Sequence, residues 1–225
     1  MTSGTLLVIS APSGAGKTSL VRALVKALPD LRVSVSHTTR ARRPGEREGR
    51  DYFFVSGAEF EAMIAGGALL EHAFVFDHRY GTSRAWVEET LGTGLDVVLE
   101  IDWQGARQVR EALPGCVTVE VLPPSLEALE QRLRNRGQDS DAVIARRMRD
   151  AVEEIRHYAE FDYLVVNEDF EAALAELVAI ASAERARTSR RRHDRAALLE
   201  HLLGGGPRRA PGRRPVRRRG AADAG

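Results

Sequence analysis

Apolar residues recur along this chain with two periods. Leu6 to Ile9, Val97 to Ile101, Val117 to Leu122 and Tyr163 to Val166 are short apolar runs rich in branched side chains, the pattern of strands buried on both faces of a parallel sheet. Leu69 to Phe76 is a similar run carrying one acid, Glu71, and Arg32 to His37 alternates as a half-buried strand would. The other period is helical. Leu20, Val21, Leu24, Val25 and Leu28 predict a helix from Lys17, and Phe60, Met63 and Ile64 predict a short one over 56–65 behind a serine cap. Further helices are predicted over 84–91, over 103–112, from the Ser125 cap to Gly137, over 142–160 and from Phe170 onward. Strands that alternate with helices in this way predict an α/β fold whose parallel sheet has right-handed crossovers.

The first apolar run breaks into APSGAGKT, residues 11–18. Gly14 and Gly16 let the backbone wrap with its N–H groups pointing inward, and a helix starts at Lys17. A strand, a nest of N–H groups and a helix N-terminus together make a site for a di- or triphosphate. Ala11, Pro12, Ser13, Gly14, Ala15 and Gly16 would form the cradle. Lys17 would reach the β- and γ-phosphates, and the Thr18 hydroxyl would ligate Mg²⁺. Ala11 stands where such turns usually carry a first glycine, which matters only if that position needs a positive φ. Lysine is otherwise found only at Lys26, so Lys17 is not one of many.

Two more polar features sit among these elements. Residues 38–51 lack apolar periodicity, gather Arg40, Arg42, Arg43, Arg47 and Arg50 around Pro44-Gly45, and run into Tyr52, Phe53 and Phe54, as a long basic functional loop would. The apolar strand from Val97 ends in the acids Glu100 and Asp102, the place for a carboxylate near a phosphate-bound Mg²⁺.

Composition adds bounds. The 225 residues are 43% hydrophobic and 29% charged, enough for one sizeable soluble core. No run approaches a membrane span, and the N-terminus carries no export pattern, so a cytoplasmic protein is expected. Cys116 is the single cysteine, which leaves no internal disulfide and predicts a buried structural thiol. Net charge is +1, yet residues 185–225 hold 13 arginines against Asp194, Glu200 and Asp223. The body is therefore acidic and the tail basic. Ala196 to Leu203 predicts two helical turns, and from Gly204 the Gly, Pro and Arg content predicts disorder. Nucleic acid enters as a partner only through this tail.

Six motifs in order, APSGAGKT, SVSHTTRARRPGEREGRDYFFV, LLEHAFV with RYGTS, LEIDWQGARQVR, PPSLEALEQRLRNRG and FDYLVVN, resemble those of the bacterial guanylate kinases over about residues 4–185. The resemblance implies a P-loop NTPase fold of three α/β/α layers around a parallel core sheet, with a small GMP-binding mixed α+β excursion and a helical lid. The core would be 4–31, 85–135 and 151–185, the GMP-binding region 32–84, the lid 136–150, and a basic extension 186–225. It implies Mg²⁺-dependent phosphoryl transfer from ATP to GMP, within purine nucleotide metabolism. Arg40, Arg43, Tyr52 and Tyr80 would hold the GMP phosphate, since guanidinium forks match phosphate oxygens in pairs. Glu71 would accept from guanine N1–H and the exocyclic amine, and Ser36 and Thr82 would donate to O6. Glu100 and Asp102 would stand on the GMP side, Arg136 and Arg147 would be the lid arginines, and Asn167 would touch adenine. A ribose bisphosphate kinase has no need of the base-reading set Glu71, Ser36 and Thr82. An inactive protein-binding module of the same fold typically lacks the intact turn kept here in Gly16, Lys17 and Thr18. Monomer and homo-oligomer are both left open.

Overall fold

The structure is a computed structural model that describes residues 4–75, 77–135, 140–188 and 195–204. Five strands, β1 (Leu6–Ser10), β2 (Leu31–Val33), β7 (Asp96–Glu100), β8 (Val117–Leu122) and β9 (Tyr163–Val166), form a wholly parallel sheet in the order β2-β7-β1-β8-β9. The inserted segment contributes a second sheet in the order β4-β3-β6-β5, built from β3 (His37–Thr38), β4 (Phe53–Phe54), β5 (Leu69–Val75) and β6 (His78–Ser83).

The helices are α1 (Lys17–Ala27), α2 (Gly57–Ala65), α3 (Arg84–Gly92), α4 (Trp103–Ala112), α5 (Leu126–Asn135), α6 (Asp141–Ile155), α7 (Phe170–Ala186) and α8 (Ala196–Leu202). Alternation along β1 sorts the layers. Leu7 and Ile9 point to one face, where Leu20, Val21 and Leu24 of α1 and Leu177 of α7 cover them. Leu6 and Val8 point to the other, with Val87 of α3 and Ala106 and Val109 of α4. Both faces are apolar because both are covered, which is why these strands read as continuous apolar runs. Leu24 is fully buried, and its truncation to alanine would cost about 2–5 kcal/mol.

Caps fix the helix starts. Ser56 and Glu59 form a reciprocal capping box on α2, Asp102 accepts from Gly105 N at 2.8 Å to start α4, and Ser125 accepts from Ala128 N at 3.1 Å to start α5. Leu129 and Leu133 of α5 share a small apolar cluster with Ile144, Met148 and Ala151 of α6.

Four expectations change. The alternating stretch 32–37 is not one strand: β2 joins the core sheet and β3 the second sheet, because a period of two is blind to which neighbour each half pairs with. Strand β6, HRYGTS, had no apolar signal, since its residues are polar or small and Tyr80 among them lines a pocket. Helix α6 ends at Ile155, short of residue 160, where His157 stacks on Trp103 with ring centroids 3.5 Å apart and a 3₁₀ turn, Tyr158–Glu160, follows. Cys116 is half-buried beside the α3/α4 layer rather than enclosed. Phe76, Arg136, Gly137 and the tail from 205 onward lie outside the described residues.

Candidate active site

The turn after β1 is held open by two glycines, Gly14 and Gly16, each at φ 100°. Among the described residues Asp77 is the only non-glycine with positive φ, so Ala11 meets no conformational penalty. A Cβ at Gly14 would come 2.9 Å from Leu129 Cδ1 and 3.0 Å from Leu133 Cδ2, so the turn lies directly against α5. Asn167, 5% exposed at the end of β9, donates from Nδ2 to the Ala15 carbonyl at 2.6 Å. Its own backbone carbonyl accepts from Arg132 Nη2 at 2.8 Å. The Asn167 amide thus braces the turn's backbone.

Lys17 and Thr18 leave the turn toward β7. Lys17 Nζ donates to the carbonyl of Ile101 at 2.8 Å, and the Thr18 hydroxyl donates to Glu100. A pocket lined by the turn, Lys17, Thr18, Asp102 and Glu154 opens there. A second pocket, lined by Ser36, Tyr52, Glu71, Tyr80 and Glu100, shares Lys17 and Asp102 with the first.

The second pocket is organised by the antiparallel pairing of β5 and β6, which sets Glu71 opposite Thr82. Glu71 is 3% exposed, and its Oε1 accepts from Thr82 Oγ1 at 2.6 Å. Burial pushes the Glu71 carboxyl up to about 7, the Thr82 hydrogen bond opposing this and Asp102 adding to it. The same sheet brings Tyr80 edge-on to Tyr52, ring centroids 5.9 Å apart, and burial raises the Tyr52 phenol. Arg40 lies over the Tyr52 ring at 5.2 Å and bonds Glu46 Oε1 at 2.6 Å. Glu46 Oε2 accepts from the backbone N–H of Arg43 at 2.8 Å, so one carboxylate folds the basic loop. The Arg40 hydrogen bond holds the Glu46 carboxyl below its usual range. Arg43 itself is exposed and borders the cleft between this loop and α1.

Of the expected lid arginines, Arg147 is half-buried on α6 and Arg136 lies outside the described residues. Two acids by the turn were missed. Glu120 of β8 is 1% exposed and in register with Ser10, and among the described residues neither carboxyl oxygen has a hydrogen-bond partner of good geometry, the Ser10 hydroxyl being the polar group it approaches. Glu154 of α6 lines the turn pocket. Burial pushes both up to about 7. The only signal for Glu120 was an acid inside the apolar run 117–122.

A parallel core sheet whose first strand opens into a glycine turn, lysine and threonine, with two pockets meeting at that lysine, defines a phosphoryl-transferring P-loop protein. The sequence model of one family, guanylate kinase, matches residues 3–184. The guanylate kinase of Methylococcus capsulatus is 62% identical over 204 residues, covering 91% of this chain and 100% of that protein. That of Nitrosococcus oceani is 57% identical over 201 residues, covering 89% and 99%. The crystal structure of guanylate kinase from Anaplasma phagocytophilum superimposes with a TM-score of 0.73 at 36% identity, covering 90% of this chain and 97% of that one. The chain belongs to the guanylate kinase family and is a kinase.

Proposed function

We propose that the turn pocket seats ATP and the Glu71 pocket seats GMP, and that the phosphoryl group crosses between them at Lys17 to give ADP and GDP. The observation that carries this reading is the shared wall, since Lys17 and Asp102 border both pockets. A transferring phosphoryl group holds its charge on three equatorial oxygens, so catalysis is mostly alignment and charge neutralisation. Lys17 supplies one cation at the crossing point, and Arg147 with Arg136 would supply others from above.

On the acceptor side Arg40, Arg43, Tyr52 and Tyr80 would hold the GMP phosphate. For Arg40 this means exchanging Glu46 for the phosphate, a charge-assisted partner that accepts in pairs. Ionised Glu71 would take guanine N1–H and the 2-amino group, with Ser36 and Thr82 at O6. Adenine offers neither donor, so AMP would leave a buried carboxylate unpaired.

The Thr18 hydroxyl beside the Glu100 carboxylate is a hard oxygen pair, which fits a Mg²⁺ ion that keeps several waters and takes phosphate oxygens. Thr18 would be its protein ligand, Glu100 would stand beside it, and the ion when bound would neutralise charge on the β- and γ-phosphates. The region 32–84 and the lid 136–150 would close on the core, 4–31, 85–135 and 151–185, once both nucleotides are seated, because a half-formed site open to water hydrolyses ATP. Small-angle scattering with and without both nucleotides should register that compaction. We place this chemistry in the cytoplasm, in the recycling of GMP into the purine nucleotide pool.

A panel of acceptors with ATP and Mg²⁺ tests the reading. GMP and dGMP should be phosphorylated, and AMP, UMP and ribose phosphates should be turned over at least a hundredfold less efficiently, on the order expected when a buried polar partner is lost. Comparable turnover of a ribose phosphate would overturn it.

A further inference from the structure

We propose that Gly105 and Gln108, neighbours on the face of α4 that meets β5, set the position of the Glu71 carboxylate and so the enzyme's discrimination among purine monophosphates. The inference rests on reading Glu71 as the guanine-contacting acid and names what holds that acid in place.

Gly105 is a glycine without a backbone reason to be one. It sits in the first turn of α4 and is not among the described glycines with positive φ. Glycine in a helix is unfavourable relative to alanine, so another demand must explain it. A Cβ built on Gly105 would lie 2.7 Å from Glu71 Oε2 and 3.3 Å from Glu71 Cδ. The missing methyl is therefore the space that Oε2 occupies. Oε1 is already fixed by Thr82 at 2.6 Å, so a methyl at residue 105 would swing Oε2 about that anchor, out of the plane in which two oxygens can meet two guanine donors.

Gln108 acts on the strand rather than on the carboxylate. β5 is an edge of its sheet, and its open backbone groups need a partner. The Gln108 side chain accepts from His72 N at 3.1 Å and donates through Nε2 to His72 O at 2.8 Å. One amide thus stands in for a neighbouring strand at the residue next to Glu71. The base-reading acid thus meets the core helix α4 twice, its carboxylate at the space left by Gly105 and its strand at the Gln108 clamp on the next residue.

Steady-state kinetics of Gly105→Ala, Gln108→Leu and Glu71→Gln with GMP, IMP and ATP as varied substrates test this. IMP keeps the guanine N1–H and lacks the 2-amino group, so the GMP-to-IMP ratio of kcat/KM reads the geometry of the carboxylate rather than general integrity. Gly105→Ala should raise the KM for GMP about tenfold or more, as expected for a weakened hydrogen bond to a charged group. It should lower the GMP-to-IMP ratio and leave the KM for ATP within about twofold, in a variant whose circular dichroism matches the parent, the helix preference of alanine opposing the crowding of Glu71 and of Ile101 Cδ1 at 3.2 Å. Gln108→Leu should move the same two GMP readouts in the same direction. Unchanged GMP kinetics in both variants, or an equal rise in the KM for ATP, overturns the proposal. If Glu71→Gln itself leaves the GMP KM and the ratio unchanged, the reading of Glu71 fails and this inference with it. If Glu71→Gln has its effect while Gly105→Ala and Gln108→Leu have none, only this inference fails.

Discussion

Asn167 Nδ2 donates to the carbonyl oxygen of Ala15 at 2.6 Å, so the end of β9 holds the phosphate turn by its backbone across 152 residues of sequence. Both groups are buried, and the same amide nitrogen sits where a side chain at Gly16 would have to go. Asn167→Ala should therefore loosen the turn. The expected outcome is a KM for ATP raised about tenfold with the KM for GMP little changed, and a stability loss of about 1 kcal/mol for the short hydrogen bond, since the Ala15 carbonyl keeps only the longer contact from Arg132 Nη1 at 3.5 Å. Initial rates with each nucleotide varied in turn, together with urea denaturation, check both parts.

The Glu71 carboxyl gives the acceptor site a pH dependence whose sign is fixed. Burial raises it to about 7 in the ligand-free protein, and guanine must meet the ionised form, because N1–H and the amine are donors. GMP affinity should therefore rise with pH up to about 7 and level off above it. At pH 6 roughly one tenth of the sites carry the ionised acid, about a tenfold loss. Thr82→Val removes the hydrogen bond that opposes the shift, so its midpoint should move to higher pH. Equilibrium titrations of GMP between pH 5.5 and 8.5 on both proteins measure it, and a midpoint that falls on removal of Thr82 would contradict the assignment.

How legible these features were depends on whether they are local. The turn at 11–18 was readable because its chemistry lies in consecutive residues, and β1, β7 and β8 because strands covered on both faces carry their burial in their composition. The capping serines Ser56 and Ser125 were equally plain. The pairing that faces Glu71 to Thr82 was not, because β6, HRYGTS, is polar along its length and shows no strand periodicity. Its residues entered the site only through resemblance to a family. Glu120 was visible as an acid in an apolar run, but its approach to the turn depends on the register of β8 against β1. Asn167 could be placed at a strand end but not against Ala15. Arg132 is one arginine among several in a helical run, and only the fold shows that it donates to Asn167 O and belongs to the support of the turn.

Lys17 tests the phosphate turn itself. Its Nζ donates to Ile101 O at 2.8 Å, at the wall common to both pockets. Methionine at this position keeps the stem's packing and removes the charge. Lys17→Met should abolish turnover, by at least about a thousandfold as for loss of a transition-state cation, with circular dichroism and Tm close to those of the parent. Undiminished turnover in a folded variant would remove Lys17 from the reaction.

Glu120 predicts a stability difference with pH. Its carboxyl faces Ser10 of β1, with Lys17 at the start of α1 and Glu154 of α6 as the charged groups nearby. Burial raises it from 4.5 to about 7, with Ser10 and Lys17 only partly offsetting this. Between those two values the folded state binds more protons at this residue than the unfolded state. Stability contributed by the neutral carboxyl is therefore present in full below about pH 4.5, declines as pH rises toward 7 and stays lost above it. Glutamine has nearly the same shape and no proton to lose. Glu120→Gln should therefore be more stable than the parent at pH 8, by on the order of 3 kcal/mol, and the two should converge as pH falls below about 4.5. The acids common to both proteins cancel in the difference, so urea denaturation midpoints measured at each pH isolate Glu120. Parallel pH profiles would mean that the carboxyl finds water or a counter-ion in solution and is not held neutral beneath the turn.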